Sequence, residues 1–208
     1  MEWQIETWTA GQMSEAEFVA ACALHHAAFP KAGRTLADVV AKKRPTWMAP
    51  DATAQTPRQV ALGVAARGPL FSDEPPRRYA VRDAAGRWLG NAGVLTRTLQ
   101  TTRGPLQVLG LMDVATLPET RGMGLGKRLV RAAWAEVDAG RVAACLLKTS
   151  GASPFYEKLG ARVIDNPLVN SLAEGGVDRQ PFEESAAMIY PAQADWPTGE
   201  IDLRGPAF

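Results

Sequence analysis

Residues 121–127 read Arg-Gly-Met-Gly-Leu-Gly-Lys, three glycines at alternate positions just before a helical run. Glycines let successive backbone N–H groups converge on one anion. A helix start adds about half a positive charge from its dipole, so the segment suits a pyrophosphate. Two familiar phosphate loops do not fit. A Walker A loop needs Gly, four residues and then Gly-Lys-Ser/Thr, whereas Gly126-Lys127 is followed by Arg128 and the leading position holds Arg121. A dinucleotide fingerprint needs a third glycine where Lys127 stands. What remains is Arg-x-x-Gly-x-Gly behind a long apolar strand. Lys127, Arg128 and Arg131 crowd the first turns of the helix, where cations oppose the dipole, and a bound anion would remove that conflict.

The stretch over 112–126, Met-Asp-Val-Ala-Thr-Leu-Pro-Glu-Thr-Arg-Gly-Met-Gly-Leu-Gly, resembles the acyl-CoA-binding segment of the GNAT superfamily of N-acetyltransferases. Downstream, Phe155-Tyr156-Glu157-Lys158-Leu159-Gly160-Ala161 is similar to the second signature of that family. The resemblance implies an α+β, GNAT-like acyl-CoA N-acyltransferase fold: a mixed, strongly bent central sheet with splayed middle strands, flanked by helices. It implies acetyl-CoA as cofactor, with coenzyme A as product. The thioester arm would pair near Val114, Ala115 and Thr116, and the phosphates would sit on Arg121, Gly122, Met123, Gly124, Leu125, Gly126 and Lys127. It also implies that Tyr156 is the general acid that protonates the departing thiolate, a role open to a phenol. Thr149 stands where many relatives carry Asn. The chain end, from Asp195 to Phe208, is similar to that of the nodulation acyltransferases and, more loosely, of aminoglycoside 2'-N-acetyltransferases. There the chain end approaches the acceptor pocket, which makes a terminal carboxylate on Phe208 a candidate acceptor ligand or base.

The implied reaction is acetyl transfer to a primary amine by direct attack. An amine with pKa near ~10.4 must first lose a proton, so a base is wanted. Asp113 on the long strand is one candidate, weighed against a hydrogen-bonded structural carboxylate. His25 and His26 are others, although a histidine on an apolar stripe is more often a core residue. Local acids such as Asp195, Glu200 and Asp202 could attract the amine. Two further readings stay open: a non-catalytic acyl-CoA-binding sensor, and an acyltransferase using a longer chain. No metal is required.

These groups need elements to hold them. Trp3, Ile5 and Thr7 alternate with Glu2, Gln4 and Glu6, a strand pattern. Ser14 and Glu17 form a capping box ahead of Phe18, Cys22, His25 and Phe29, which share one helical face. A second helix starts after Thr35, with Asp38 three residues on, and is expected to stop before Pro45. Residues 45–56 read as loop, and Pro57 starts another helix expected to end at Gly68-Pro69. Tyr79 and Val81, a turn over 83–86 and residues 88–99 form a hairpin. Residues 106–116 follow as a central strand, with Leu106, Val108, Gly110, Met112, Val114 and Thr116 expected on one face. A helix over 127–138, a strand over 142–148, a short helix over 153–159 and a strand over 162–164 come next. Residues 165–185 read as loop, 186–190 as the last strand, and the remainder as a Pro-rich tail.

The 208 residues carry 23 Lys and Arg against 22 Asp and Glu, a net charge of +1. That balance supplies no general pull on nucleic acid or anionic membrane, so any phosphate must be held locally. The partner expected is a small-molecule amine, with no nucleic acid and no membrane; a homodimer is compatible with the sequence. The longest apolar run, residues 18–24, is far short of the ~20 residues of a membrane span. Cys22 and Cys145 sit in apolar surroundings without metal-ligand or disulfide spacing, which fits a reducing compartment. The first residues lack the basic start and apolar stretch of a secretory signal, so a cytoplasmic location is expected. The length favours a single domain over 1–208.

Overall fold

Two helices begin by the same reciprocal capping. In the computed structural model, which describes residues 4–9, 11–48, 57–62 and 71–208, the Ser14 hydroxyl accepts from the Glu17 N–H while the Glu17 carboxylate accepts from the Ser14 N–H. This starts α1 (Glu15–Ala28), and Thr35 with Asp38 repeats it at α2 (Leu36–Trp47). The second helix runs through Pro45, past its expected stop. A proline in the last turn removes one ladder bond. Trp47, 1% exposed, offsets that loss by packing edge-on against Phe18 and under the Arg78 guanidinium, 3.8 Å from its ring centroid.

The first strand, β1 (Ile5–Thr9), begins at Ile5; Glu2 and Trp3 lie outside the described residues. The short α3 (Pro57–Ala61) starts at the expected proline, while Thr56 and the expected stop at Gly68-Pro69 lie outside them. The hairpin comprises β2 (Arg77–Arg82) and β3 (Trp88–Thr101), and β4 (Gly104–Thr116) follows. Then come α4 (Leu125–Asp138), β5 (Cys145–Thr149), α5 (Ser153–Glu157) and β6 (Arg162–Val163). The chain finishes with β7 (Leu168–Val169), β8 (Ala186–Tyr190) and β9 (Ile201–Asp202).

One mixed sheet in the order β1-β2-β3-β4-β5-β8-β6 joins these strands, and β9 pairs with β3 and with β7. The β4–β5 and β7–β9 pairs are parallel and the rest antiparallel. The two-residue period of β2 sorts its neighbours: Tyr79 and Val81 join Leu129, Val130, Ala133 and Trp134 of α4, whereas Ala80 joins Phe18, Cys22 and Trp47 on the opposite face. The architecture is α+β, helices on both sides of a mixed sheet.

Two irregularities open the middle of the sheet. Leu109, Gly110 and Leu111 face Cys145, Leu146 and Leu147, and there the β4–β5 pairing stops although both strands run on. The strands part beyond Leu111. In addition, Asp113 and Val114 together oppose Ala92 of β3, a β-bulge with Asp113 at φ 53, and the Asn91 side-chain amide donates to the Asp113 carbonyl at 3.0 Å. The extra residue inverts the alternation. Val108 packs in the cluster with Leu99 and Leu146, while Val114 packs with Leu109 and Leu111 in the cluster over α4. The single face expected along 106–116 therefore breaks at the bulge.

The tail also departs from expectation. Residues 165–185 and the Pro-rich end contain β7 and β9, joined by the Ile201 N–H to Pro167 carbonyl and Leu203 N–H to Val169 carbonyl bonds. Asn166 donates to the carbonyls of Pro197 and Gly199 and accepts from the Trp196 indole. Local pattern misses β7 and β9, because their pairing is wholly long-range. Both cysteines are free, buried thiols.

Candidate active site

The glycine segment forms an uncapped helix start. After β4 a 3₁₀ turn over Pro118–Thr120 closes with the Thr120 hydroxyl on the Leu117 carbonyl, 2.8 Å. Gly122 (φ 82) and Gly124 (φ 78) then take left-handed conformations that cost other residues about 1–2 kcal/mol. Gly124 is the N-cap of α4, and no side chain caps that end. Arg128 is the first residue whose N–H closes an α-helical bond, to the Gly124 carbonyl at 3.1 Å. The amides of Gly124, Leu125, Gly126 and Lys127 thus lack intrahelical acceptors. No acidic side chain occupies the first turn. A Cβ at Gly122 or Gly124 would meet nothing within 4 Å, so the space over these amides is open. Gly126 instead lies close to Phe155, whose ring would be 3.6 Å from an added Cβ.

This cradle floors a cleft of about 450 Å³ walled by Val114, Thr116, Ala152, Phe155 and Tyr156. Nine of the ten residues expected to hold the cofactor line it; Met123, 48% exposed, does not. Free amides, open space and a missing acid together fit an anionic group of pyrophosphate size.

A second cleft, about 460 Å³, opens where β4 and β5 part. It shares Val114, Ala152 and Tyr156 with the first, so the two meet at the phenol. Tyr156 is 7% exposed, and burial, with a smaller contribution from Cys145, pushes its phenol up to about 12. At neutral pH it therefore carries its proton. The Thr149 hydroxyl accepts from the Ala152 N–H at 3.0 Å, bracing the turn into α5 that carries Tyr156.

Asp113 enters the second cleft on the bulge with its carboxylate already engaged. It pairs with Lys43 and accepts from Arg78 Nη1 at 2.8 Å. Gly93 makes this reach feasible, since a Cβ there would lie 2.4 Å from Arg78 Nη1. Burial would raise the Asp113 pKa, but Lys43 and Arg78 together outweigh it and hold the carboxyl well below the usual range. His25 lines the same cleft; burial foremost, then Lys43, lowers its pKa to about 4, and its Nδ1 has no partner among the described residues. His26 does not line it. The Phe208 ring borders the cleft, seated where Gly110 lacks a side chain and edge-on to Phe182 at 5.8 Å. Arg97 ties the tail down through the Pro206 carbonyl, 2.6 Å.

The acids thought able to attract an amine lie elsewhere. Asp195 pairs with Arg103 at 2.7 Å, Glu200 with Arg179 at 3.3 Å, and Asp202 accepts from the Ser171 and Arg204 amides. None lines either cleft. Sequence reasoning missed Lys31, Arg34, Lys42 and Lys148, all of which face the second cleft. Lys31 and Arg34 show in the sequence as cations in the turn between the first two helices, whereas Lys42 on α2 and Lys148 on β5 carry no such signal. Among the described residues no group of three His, Cys, Asp or Glu side chains is placed to hold a metal ion, and no helix is long and apolar enough to cross a membrane.

The family model for an acetyltransferase (GNAT) domain matches residues 75–160, which contain the bulge, the glycine cradle and Tyr156. The chain carries a GNAT acetyltransferase domain. The GNAT architecture extends past the matched segment. An N-acetyltransferase (YhbS) from Escherichia coli, solved in complex with CoA, superposes over 97% of this chain and 89% of its own with a TM-score of 0.58 at 16% identity. A GNAT family acetyltransferase from Brucella melitensis, solved in complex with acetyl-CoA, covers 96% and 95% with a TM-score of 0.51 at 14% identity. At such identities the likeness is one of fold. No curated protein matches the sequence.

Proposed function

We propose that this GNAT domain is an acetyl-CoA-dependent N-acetyltransferase that moves an acetyl group onto a primary amine by direct attack. The meeting of an anion cradle and a second cleft at one protonated phenol carries this reading. That structures of the same fold are described in complex with CoA and acetyl-CoA supports it. When bound, acetyl-CoA supplies an acyl thioester open to attack by a neutral amine.

The chain's own residues do the rest. The amides of Gly124 to Lys127 hold the pyrophosphate, and the free edge of β4 at Val114 to Thr116 aims the arm toward Tyr156. Tyr156 keeps a proton at Oη for the leaving sulfur. Asp113, locked between Lys43 and Arg78, positions the bulge and is a poor base. Deprotonation falls instead to the surroundings: a cleft rich in cations disfavours an ammonium, so the bound amine gives one proton to solvent before it attacks, and the proton its nitrogen sheds as the C–S bond breaks replaces the one Tyr156 hands to sulfur. Phe208 walls the acceptor side. The whole chain acts as one domain, since the sheet runs from β1 to β9, and the two free buried thiols suit the cytoplasm.

The test is free-thiol release from acetyl-CoA across a panel of amines, above hydrolysis; tight binding without release would indicate a sensor. Gly124→Val should raise the KM for acetyl-CoA about tenfold or more, because a β-branched side chain strains the φ 78 conformation and covers the amides. An unchanged KM would count against the cradle.

A further inference from the structure

We infer that the acceptor is an amine that also bears an anionic group, held by the cationic lining of the second cleft; the inference rests on the acetyltransferase reading above. Lys31, Arg34, Lys42, Lys43 and Lys148 all face this one cleft in a chain whose net charge is only +1. The concentration is local. Lys31 and Arg34 come from the turn between α1 and α2, Lys42 and Lys43 from α2, and Lys148 from β5 beyond its parting from β4.

Asp113 is the sole carboxylate side chain among the described residues lining the cleft, and it is shared by Lys43 and Arg78. The trio keeps a positive charge. Even a carboxylate on Phe208 would leave cations in excess, and His25, its pKa lowered to about 4, adds no charge at neutral pH. Arg34 and Lys148 are half-buried, and neither forms a salt bridge with a described residue; Arg34 feels the Asp38 carboxylate only through space, and Lys148 sits over the Phe182 ring at 5.9 Å. Partly desolvated cations gathered in one cleft repel one another, and an anion brought by the ligand relieves that cost. The same field repels a plain ammonium and, more strongly, a polyamine. An anionic anchor keeps the molecule bound while its amine loses its proton beside Tyr156.

The experiment compares matched acceptors by thiol release from acetyl-CoA: amino acids against their amides, phosphoethanolamine against ethanolamine, and spermidine. The anionic member of each preferred pair should show kcat/KM about tenfold higher or more, and the two pairs separate carboxylate from phosphate recognition. Lys148→Gln and Arg34→Gln should each raise the KM for that acceptor severalfold while leaving the KM for acetyl-CoA unchanged. Preference for the neutral amines or spermidine, or an unmoved acceptor KM in both variants, overturns the inference and leaves the enzyme standing. If no acceptor releases thiol, calorimetry with the same anionic amines decides. Binding weakened by Lys148→Gln sustains the anion site and overturns the transfer reading, and absence of binding overturns both.

Discussion

Tyr156→Phe lowers kcat by about 10²- to 10⁴-fold, the usual contribution of a positioned general acid, while the Kd for acetyl-CoA stays within about twofold. The substitution removes one oxygen and keeps the ring, which packs edge-on to Phe155 at 5.0 Å and tilted against Trp134 at 6.4 Å. Stability and the walls of both clefts are preserved, so the loss isolates the proton held at Oη. Stopped-flow or steady-state thiol release with parallel calorimetry separates the two quantities. An unchanged kcat would make Tyr156 a packing residue alone.

The second large effect is on stability. Asp113→Asn removes one charge while keeping a residue type that tolerates φ 53. It leaves Arg78, 1% exposed, and Lys43 without their counter-ion, at a cost of about 3–5 kcal/mol. For a chain of this length that corresponds to a fall in Tm of roughly 10 °C. Adding Arg78→Met should recover part of the loss, because one buried cation goes with it. The sign of the pH dependence follows from the lowered Asp113 pKa. The trio's contribution is complete above the ordinary value of 3.8 and is lost only as the pH falls well below it. A variant with normal Tm but abolished turnover would instead identify Asp113 as the base.

Much of this site was legible in the residues because its determinants are local. Alternate glycines and a helix start with no acid are written within residues 121–128, and the short helix of Tyr156 is marked by its own neighbours further along, where the family resemblance supplies the role. The starts of α1 and α2 were equally readable from Ser14, Glu17, Thr35 and Asp38, whose side chains bond across three residues. What stayed hidden depends on distant partners. Trp47 carries α2 through Pro45 only because Phe18 and Arg78 enclose it. The Asp113 bulge is defined by what opposes it on β3, and β7 and β9 form through pairing with each other and, for β9, with β3. The cationic cleft gathers side chains from a turn, a helix and a strand end that sequence spacing does not associate.

The most direct measurement is an amide-resolved NMR titration with coenzyme A. The account predicts that the N–H resonances of Gly122, Gly124, Leu125, Gly126 and Lys127 move together at a single saturating site, and that they gain protection from hydrogen exchange. Saturable binding that leaves these amides unmoved and shifts another region, or no binding at all, would contradict it.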